Sequence, residues 1–288
     1  MTLSKKMKNA LVIEENEPLF ICPNCGLDMK LIDRASLVCG NGHSFDLSKN
    51  GYVNLSPQAH ATKYDQSLFE ARTEVMRSGF FEPVIEQIVS RLDAQFENRE
   101  RPLLLDAGCG EGTHLSIIHS RLKGNATGAG IDISKEGIIA AAKNYPGYVW
   151  SVADLANCPF QDGKFDAVLN ILSPANYAEF GRILCSDGYM MKVVPESKYL
   201  VELREIFHDG EKKEDTNFLE CFSQYFDEVE TEQITYRFSL SESLLASLIR
   251  MTPLTWNADE AKIGQAMQAG LHEMTVDLRI LSGYKRRH

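Results

Sequence analysis

The stretch Leu103-Leu104-Leu105-Asp106-Ala107-Gly108-Cys109-Gly110-Glu111-Gly112-Thr113 constrains this chain more than any other. It reads as an apolar strand, a glycine-rich turn and the start of a helix. Three consecutive leucines suit a parallel strand buried on both faces. Gly108, Gly110 and Gly112 let the backbone turn sharply and approach a ligand closely. Beyond them, Leu115, Ile118 and Leu122 fall on one helical face. A strand feeding a glycine turn and then a helix is how doubly wound α/β domains hold a nucleotide-like ligand.

The order of acidic residues and glycines narrows the ligand. A dinucleotide turn reads G-x-G-x-x-G and seats a pyrophosphate on the helix N-terminus. Here the order is D-x-G-x-G-x-G, with Asp106 ending the strand and Glu111 inside the turn. Carboxylates repel a phosphate and suit a ligand carrying a cationic amino or sulfonium group. The stretch resembles the S-adenosylmethionine loop of class I methyltransferases; a dinucleotide site and a purely structural turn are the alternatives. The resemblance implies an α/β, Rossmann-like fold and assigns Asp106, Gly108, Gly110, Glu111, Gly112 and Thr113 to the cofactor.

From Leu103 onward, strands alternate with helices, as a parallel sheet requires. Strands are expected at about 126–132, 148–153, 165–172, 189–194, 230–238 and 275–282, which with the first makes seven. Ser134 is placed to cap the helix containing Ile138, Ile139 and Ala142. In open α/β sheets the ligand lies beyond the carboxyl ends of the strands, so the strand ends are the places to look. Asp132 closes Gly-Ile-Asp, where a carboxylate can accept both ribose hydroxyls, although a plain helix-capping role is the alternative. Asp154, in Val-Ala-Asp-Leu, can take an adenine amino group. Asn170 and Leu172-Ser173-Pro174-Ala175-Asn176 follow the fourth strand, where methyltransferases place their substrate; Asn170, Ser173 and Glu196 are candidate contacts. Phe81, Tyr177 and Trp256 are candidate stacking surfaces, or equally core residues. No residue is singled out as general base.

The first 56 residues have a different character. Cys22-Pro23-Asn24-Cys25 and Cys39-Gly40-Asn41-Gly42-His43 give the spacing C-x2-C-x13-C-x3-H, with Pro, Asn and Gly marking turns. Three thiolates and an imidazole make a closed tetrahedral Zn²⁺ site, structural rather than catalytic. A module of about 40 residues buries too little apolar area to fold alone, so a metal would hold it. A disulfide pair or a redox C-x-x-C is the alternative. Phe45, Lys49 and Tyr52 are candidate recognition contacts, and Asn50-Gly51 reads as a hairpin turn. Residues 1–17 are polar and expected to be frayed. Residues 57–100 read as a linker with two amphipathic helices, and 101–288 as the large α/β domain.

Seven cysteines, an odd number without an apolar leader behind Lys5, Lys6 and Lys8, argue for a reducing, cytoplasmic setting. No run approaches the roughly 18 apolar residues of a membrane span. A net charge of -10 counts against a broad electrostatic footprint on nucleic acid, so any RNA binding is local or relies on shape and stacking.

Taken end to end, the chain resembles the bacterial 23S ribosomal RNA guanine-N1 methyltransferases, the family that includes the tylosin-resistance enzymes. The resemblance runs through Cys22-Pro23-x-Cys25, Cys39-x-x-x-His43-x-Phe45-Asp46, Gly51-Tyr52-Val53-Asn54-Leu55, the Asp106–Gly112 loop, Met251-Thr252-Pro253-x-x-Trp256 and Asp277-x-Arg279-Ile280. It implies methylation of a guanine in the hairpin-35 loop of 23S rRNA, zinc in the N-terminal module and frequent homodimers. Phe81 stands where better-known members have Tyr, and Tyr199 where they have His. Both positions approach the cofactor in the family. Methyl transfer to a small molecule, and a non-catalytic zinc-dependent RNA-binding role, are the competing readings.

Overall fold

The computed structural model describes residues 3–56, 65–207, 217–256 and 258–286. Residues 57–64, the start of the expected 57–100 linker, and residues 287–288 lie outside the described residues.

The chain begins with a helix, α1 (Lys5–Glu15), where a frayed end is expected. Ser4 caps it, its hydroxyl accepting from Met7 N–H. Asn9, Ala10 and Ile13 are fully buried at helical spacing, so packing rather than composition forms this helix. Asn9 also ties the module to the large domain. Its side chain donates to Asn50 O and accepts from Gly147 N–H at 2.7 Å. A small antiparallel sheet follows, in the order β1 (Met29–Ile32), β2 (Ser36–Cys39), β3 (Ser44–Asp46).

The chain then crosses to the large sheet through β4 (Val53–Asn54). Two helices come next, α2 (Gln66–Arg77) and α3 (Glu82–Phe96). The alternating part runs β5 (Leu103–Ala107), α4 (Thr113–Arg121), β6 (Thr127–Asp132), α5 (Lys135–Asn144), β7 (Val149–Val152), β8 (Phe165–Ile171), α6 (Tyr177–Ile183) and β9 (Leu184–Pro195). It continues through α7 (Val201–Phe207), α8 (Phe218–Ser223), β10 (Phe226–Ser239), α9 (Glu242–Met251), α10 (Glu260–Gln268) and β11 (Glu273–Lys285).

The large sheet has eight strands rather than the expected seven, in the order β10-β11-β9-β8-β5-β6-β7-β4. The eighth is β4, which leaves the N-terminal module and pairs in parallel with β7 (Val53 opposite Ser151). Without it β7 would be an open edge, and covering an edge removes a row of unpaired backbone groups. The module is joined to the large domain elsewhere as well. Ile21 N–H donates to Pro159 O, Gln161 N–H donates to Leu19 O, and the Phe20 and Phe160 rings pack 5.8 Å apart. Leu19, Phe20, Met29 and Leu37 share one core with Leu105, Val149 and Phe165.

β5 lies between β6 and β8, so the crossovers leave it in opposite directions. This switch point puts a crevice beyond the carboxyl end of β5. α2 packs against α9, and Leu68, Arg72 and Met76 of α2 with Met251 of α9 line a cavity there.

Candidate active site and metal centre

The four sulfur and nitrogen ligands of the N-terminal module come together as the spacing predicts. Cys25 N–H and Gly26 N–H both turn back to Cys22 O, and Gly42 N–H to Cys39 O, so each ligand pair sits on a tight turn. The ligand atoms of Cys22, Cys25, Cys39 and His43 all lie within 4.8 Å of one another. His43 Nδ1 is 3.5 Å from Cys22 Sγ and 3.4 Å from Cys39 Sγ, and Cys25 Sγ is 3.7 Å from Cys39 Sγ. A tetrahedron with Zn–S of about 2.3 Å and Zn–N of about 2.0 Å has edges of about 3.8 Å (S···S) and about 3.5 Å (S···N). The cluster fits zinc. Lys49 is exposed and Phe45 half-buried, but Tyr52 is buried in the core, which corrects its assignment as a recognition contact.

At the end of β5 the glycine turn forms as expected. Gly108, Gly110 and Gly112 have φ of +84°, +57° and +77°, the left-handed region that favours glycine. A Cβ on Gly108 would lie 2.0 Å from Ser173 Oγ, so the turn and the segment after β8 touch. Gly112 caps α4, and Thr113 opens it with its hydroxyl 3.0 Å from Tyr145 Oη. Asp132 closes β6 and braces the turn: its two oxygens accept from Gly110 N–H (2.9 Å) and Ser134 N–H (2.8 Å). Each oxygen keeps a second lone pair for a hydroxyl.

Asp106 is 2% exposed and, among the described residues, accepts no side-chain hydrogen bond. Burial pushes its pKa up to about 7, against the pull of the Arg72 guanidinium. Burial likewise raises Glu111 and Asp132. Two buried carboxylates, Asp106 and Glu111, and the half-buried Asp132 therefore face one guanidinium, a charge set that calls for a cationic ligand. Arg72 reaches down from α2. Its Nε is 2.9 Å from Glu111 Oε2, yet neither atom makes an aligned hydrogen bond, so the pair is held by charge and keeps bonding capacity for a ligand. A Cβ on Gly110 would stand 3.3 Å from that guanidinium.

A cavity of about 570 Å³ opens beside the turn, between α2, the segment after β8, the end of β9 and the Met251–Trp256 segment. Tyr199 lines it, as do Ser173, Pro174 and Trp256. Phe81 does not; it is buried, edge-on to Phe80 and to His114, the latter itself in the cavity wall. This burial removes Phe81 as a stacking surface. His114 Nε2 is buried in the cavity wall without a partner among the described residues, and burial lowers its pKa to about 3. Asp154 lies elsewhere, in a second hollow of about 580 Å³ with Leu155, Tyr177 and Tyr225. Tyr177 there belongs to an aromatic cluster with Phe222, Tyr225 and Phe226. Glu196 pairs with Arg279 at 2.7 Å and does not line the cavity.

The orphaned Asp106 carboxyl, the free His114 Nε2 and the glycine cradle fit S-adenosylmethionine, whose sulfonium and amino groups are cationic. Arg72, His114 and Lys192 line the site and escaped sequence reasoning. Arg72 had a signal, because it stands between Leu68 and Met76 at i+4 spacing on a buried stripe. Lys192 had one too, as a lone charge inside Met190-Met191-Lys192-Val193-Val194, a run that reads as a fully buried strand. His114 had none.

Comparison with known proteins identifies the parts of the chain. A methyltransferase-domain family matches residues 104–188, and a family described as "RlmA, N-terminal" matches residues 20–62. YxjB of Bacillus subtilis, provisionally named a 23S rRNA (guanine-N(1)-)-methyltransferase, is 38% identical over 93% of this chain and 97% of its own length. A Micromonospora griseorubida protein given the same provisional function is 28% identical over 90% of this chain and 94% of its own. The 23S rRNA (guanine(748)-N(1))-methyltransferase of Streptomyces fradiae is 28% identical over 89% of this chain and 93% of its own. With 38% identity to YxjB along nearly the whole length of both chains, and with an RlmA N-terminal match followed by a methyltransferase-domain match, this chain belongs to the 23S rRNA (guanine-N1) methyltransferase family.

Proposed function

We propose that this protein transfers the methyl group of S-adenosylmethionine to N1 of a guanine in the hairpin-35 loop of 23S rRNA, in the cytoplasm. The observation that carries the reading is Asp106, a buried carboxyl without a hydrogen-bond donor among the described residues, at the foot of a glycine turn and beside a cavity large enough for a base.

In this reading Asp106 faces the amino group of the cofactor and Arg72 its carboxylate. Asp132 takes the ribose hydroxyls through its remaining lone pairs. Asp154, beside Leu155, takes the adenine. Gly108, Gly110, Gly112 and Thr113 supply the backbone cradle, Glu111 balances Arg72, and Tyr199 walls the methyl-bearing end. The cofactor supplies a methyl group already activated by its sulfonium charge. The residues therefore place the acceptor in line and exclude water. N1 lies on the Watson–Crick edge, so the guanine must arrive unpaired or extruded. Trp256 and Pro253, on the cavity wall, are placed to take its ring. Cys22, Cys25, Cys39 and His43 would hold zinc, which fixes the turns that carry the module's exposed surface, including Lys49.

Reverse-transcriptase primer extension across unmodified 23S rRNA, incubated with enzyme and S-adenosylmethionine, tests the reading. Methylation of N1 blocks pairing, so a new stop at one loop guanine is expected. Radiolabelled methyl entering RNA without a stop would move the reaction to another position. Neither stop nor label on rRNA or on a ribosomal particle would refute the proposal.

A further inference from the structure

A charged side chain the fold does not need sits in the wall of the 570 Å³ cavity. Lys192 lies on β9, opposite Asn170 on β8, and is only 4% exposed. Among the described residues it forms no ion pair. Its Nζ donates to Asn170 Oδ1 and to Ser173 O. Asn170 cannot turn away, because its Nδ2 already donates to Ala107 O (2.6 Å) and Pro174 O (3.0 Å). Lys192 is thus clamped at the segment after β8 that touches the glycine turn through Ser173 and Gly108.

The two fixed acceptors decide what the amine can do. A neutral –NH2 has two N–H donors and one lone pair. Asn170 Oδ1 and Ser173 O engage both donors, leaving the lone pair for the cavity. We infer that Lys192 is a catalytic residue, the acceptor of the guanine N1 proton during methyl transfer; this rests on the guanine-N1 reading above. In the step, the electron pair of the N1–H bond stays with the base, and a pair on N1 forms the bond to the methyl carbon. The C–S bond breaks with its electrons remaining on sulfur, and the proton passes to Lys192 Nζ. The ammonium so formed keeps both internal hydrogen bonds and releases its third proton to water. The balance is one sulfonium and one guanine in, and one thioether, one N1-methylguanine and one proton out.

Burial alone brings the Lys192 pKa down to about 8, so the free amine is accessible near neutrality. The other titratable groups on the cavity are Arg72 from α2, His114 from α4, Tyr199 after β9 and Arg204 from α7. Arginine and tyrosine are already protonated at pH 7, and His114, lowered to about 3, is too weak a base. Asp106 at the end of β5 does not line the cavity and is committed to the cofactor.

The test is single-turnover methylation of a hairpin-35 transcript with saturating S-adenosylmethionine, from pH 6 to pH 9.5, for the full chain and for Lys192→Arg and Lys192→Met. Wild-type rates are expected to rise through about pH 8 and level off. Lys192→Arg keeps the charge and the donors but cannot accept a proton. Both variants should lose roughly 10²- to 10⁴-fold in rate at pH 8. They should also lose the inflection, while their affinity for S-adenosylmethionine changes by no more than a few-fold. Lys192→Arg within threefold of wild type would overturn the inference, as would a wild-type profile flat between pH 7 and pH 9. If Lys192→Met does not fold, Lys192→Arg and the wild-type profile decide the matter alone. If wild type leaves the transcript unmethylated, the same series is run on 23S rRNA and on the ribosomal particle, and methylation of none of them means that the guanine-N1 reading has failed instead.

Discussion

Replacing Asp106 by Asn should make the empty protein more stable and the loaded protein weaker. Asp106 is buried without a hydrogen-bond donor among the described residues, and its pKa rises from 3.8 to about 7. The sign follows from proton linkage. Between those values the folded chain holds a proton that the unfolded chain has released, so stability falls as pH rises, and the fall is complete above about 7. A shift of roughly three units is worth about 4 kcal/mol at 1.36 kcal/mol per unit. Asn carries no such charge, though its amide costs about 1–3 kcal/mol where it finds no acceptor. That cost is independent of pH and cancels when two pH values are compared. Between pH 5 and pH 8 about two of the three units are crossed. The stability of Asp106→Asn relative to wild type should therefore climb by about 3 kcal/mol over that interval.

Urea denaturation of both proteins at the two pH values, without cofactor, measures this directly. Titration calorimetry with S-adenosylmethionine at pH 8 supplies the second half, where the variant should bind at least tenfold more weakly. Parallel stability curves would refute the reasoning, because a carboxylate that costs nothing when empty is already satisfied within the fold. Unchanged affinity would refute the role assigned to that cost.

Arg72→Ala should weaken S-adenosylmethionine binding at least tenfold. It should also cost about 3–5 kcal/mol at pH 8, since it strands the buried Glu111 carboxylate, and less at pH 5, where a carboxyl with a raised pKa takes up a proton; calorimetry and urea melts at both pH values check this. Cys39→Ala should lose zinc, read by elemental analysis, and lose methylation of 23S rRNA while the folded protein still binds S-adenosylmethionine. Loss of cofactor binding in a folded Cys39→Ala protein would contradict that division of labour.

Much of the architecture is legible in the sequence because local rules and the fold agree there. The Leu103–Thr113 stretch, the Ser134 cap, whose hydroxyl accepts from Gly137 N–H, and the Asn50-Gly51 turn, with Gly51 at φ +85°, each carry their structure in neighbouring residues. What escapes depends on distant partners. α1 is polar overall and forms because Asn9, Ala10 and Ile13 find the β7 side of the sheet. β4 looks like half of a hairpin, yet it keeps only the Leu47–Val53 bridge and spends its pairing on β7. β10 and β11 outrun their expected lengths by several residues, because β10 alternates exposed and half-buried positions and so has no apolar run to mark its ends.

The site divides along the same line, and the division says where function resides. Gly108, Asp132 and the Cys–His cluster are visible as motifs because their spacing is set by one turn or one strand end. Arg72 and Lys192 belong to no motif. Each is a cation placed where the periodicity of its own element demands an apolar side chain. A chain selected only to fold would fill those positions with Leu or Val, because an unpaired buried cation costs several kcal/mol. Arg72 offsets that cost against Glu111 and still leaves bonding capacity unused, and Lys192 offsets it only with two carbonyl oxygens. Residues that break a local rule without a matching gain in the folded chain mark the places where a ligand completes the structure. By that criterion Asp106, Arg72 and Lys192 outline one site, which we propose is completed by the cofactor at the first two and by the guanine at the third.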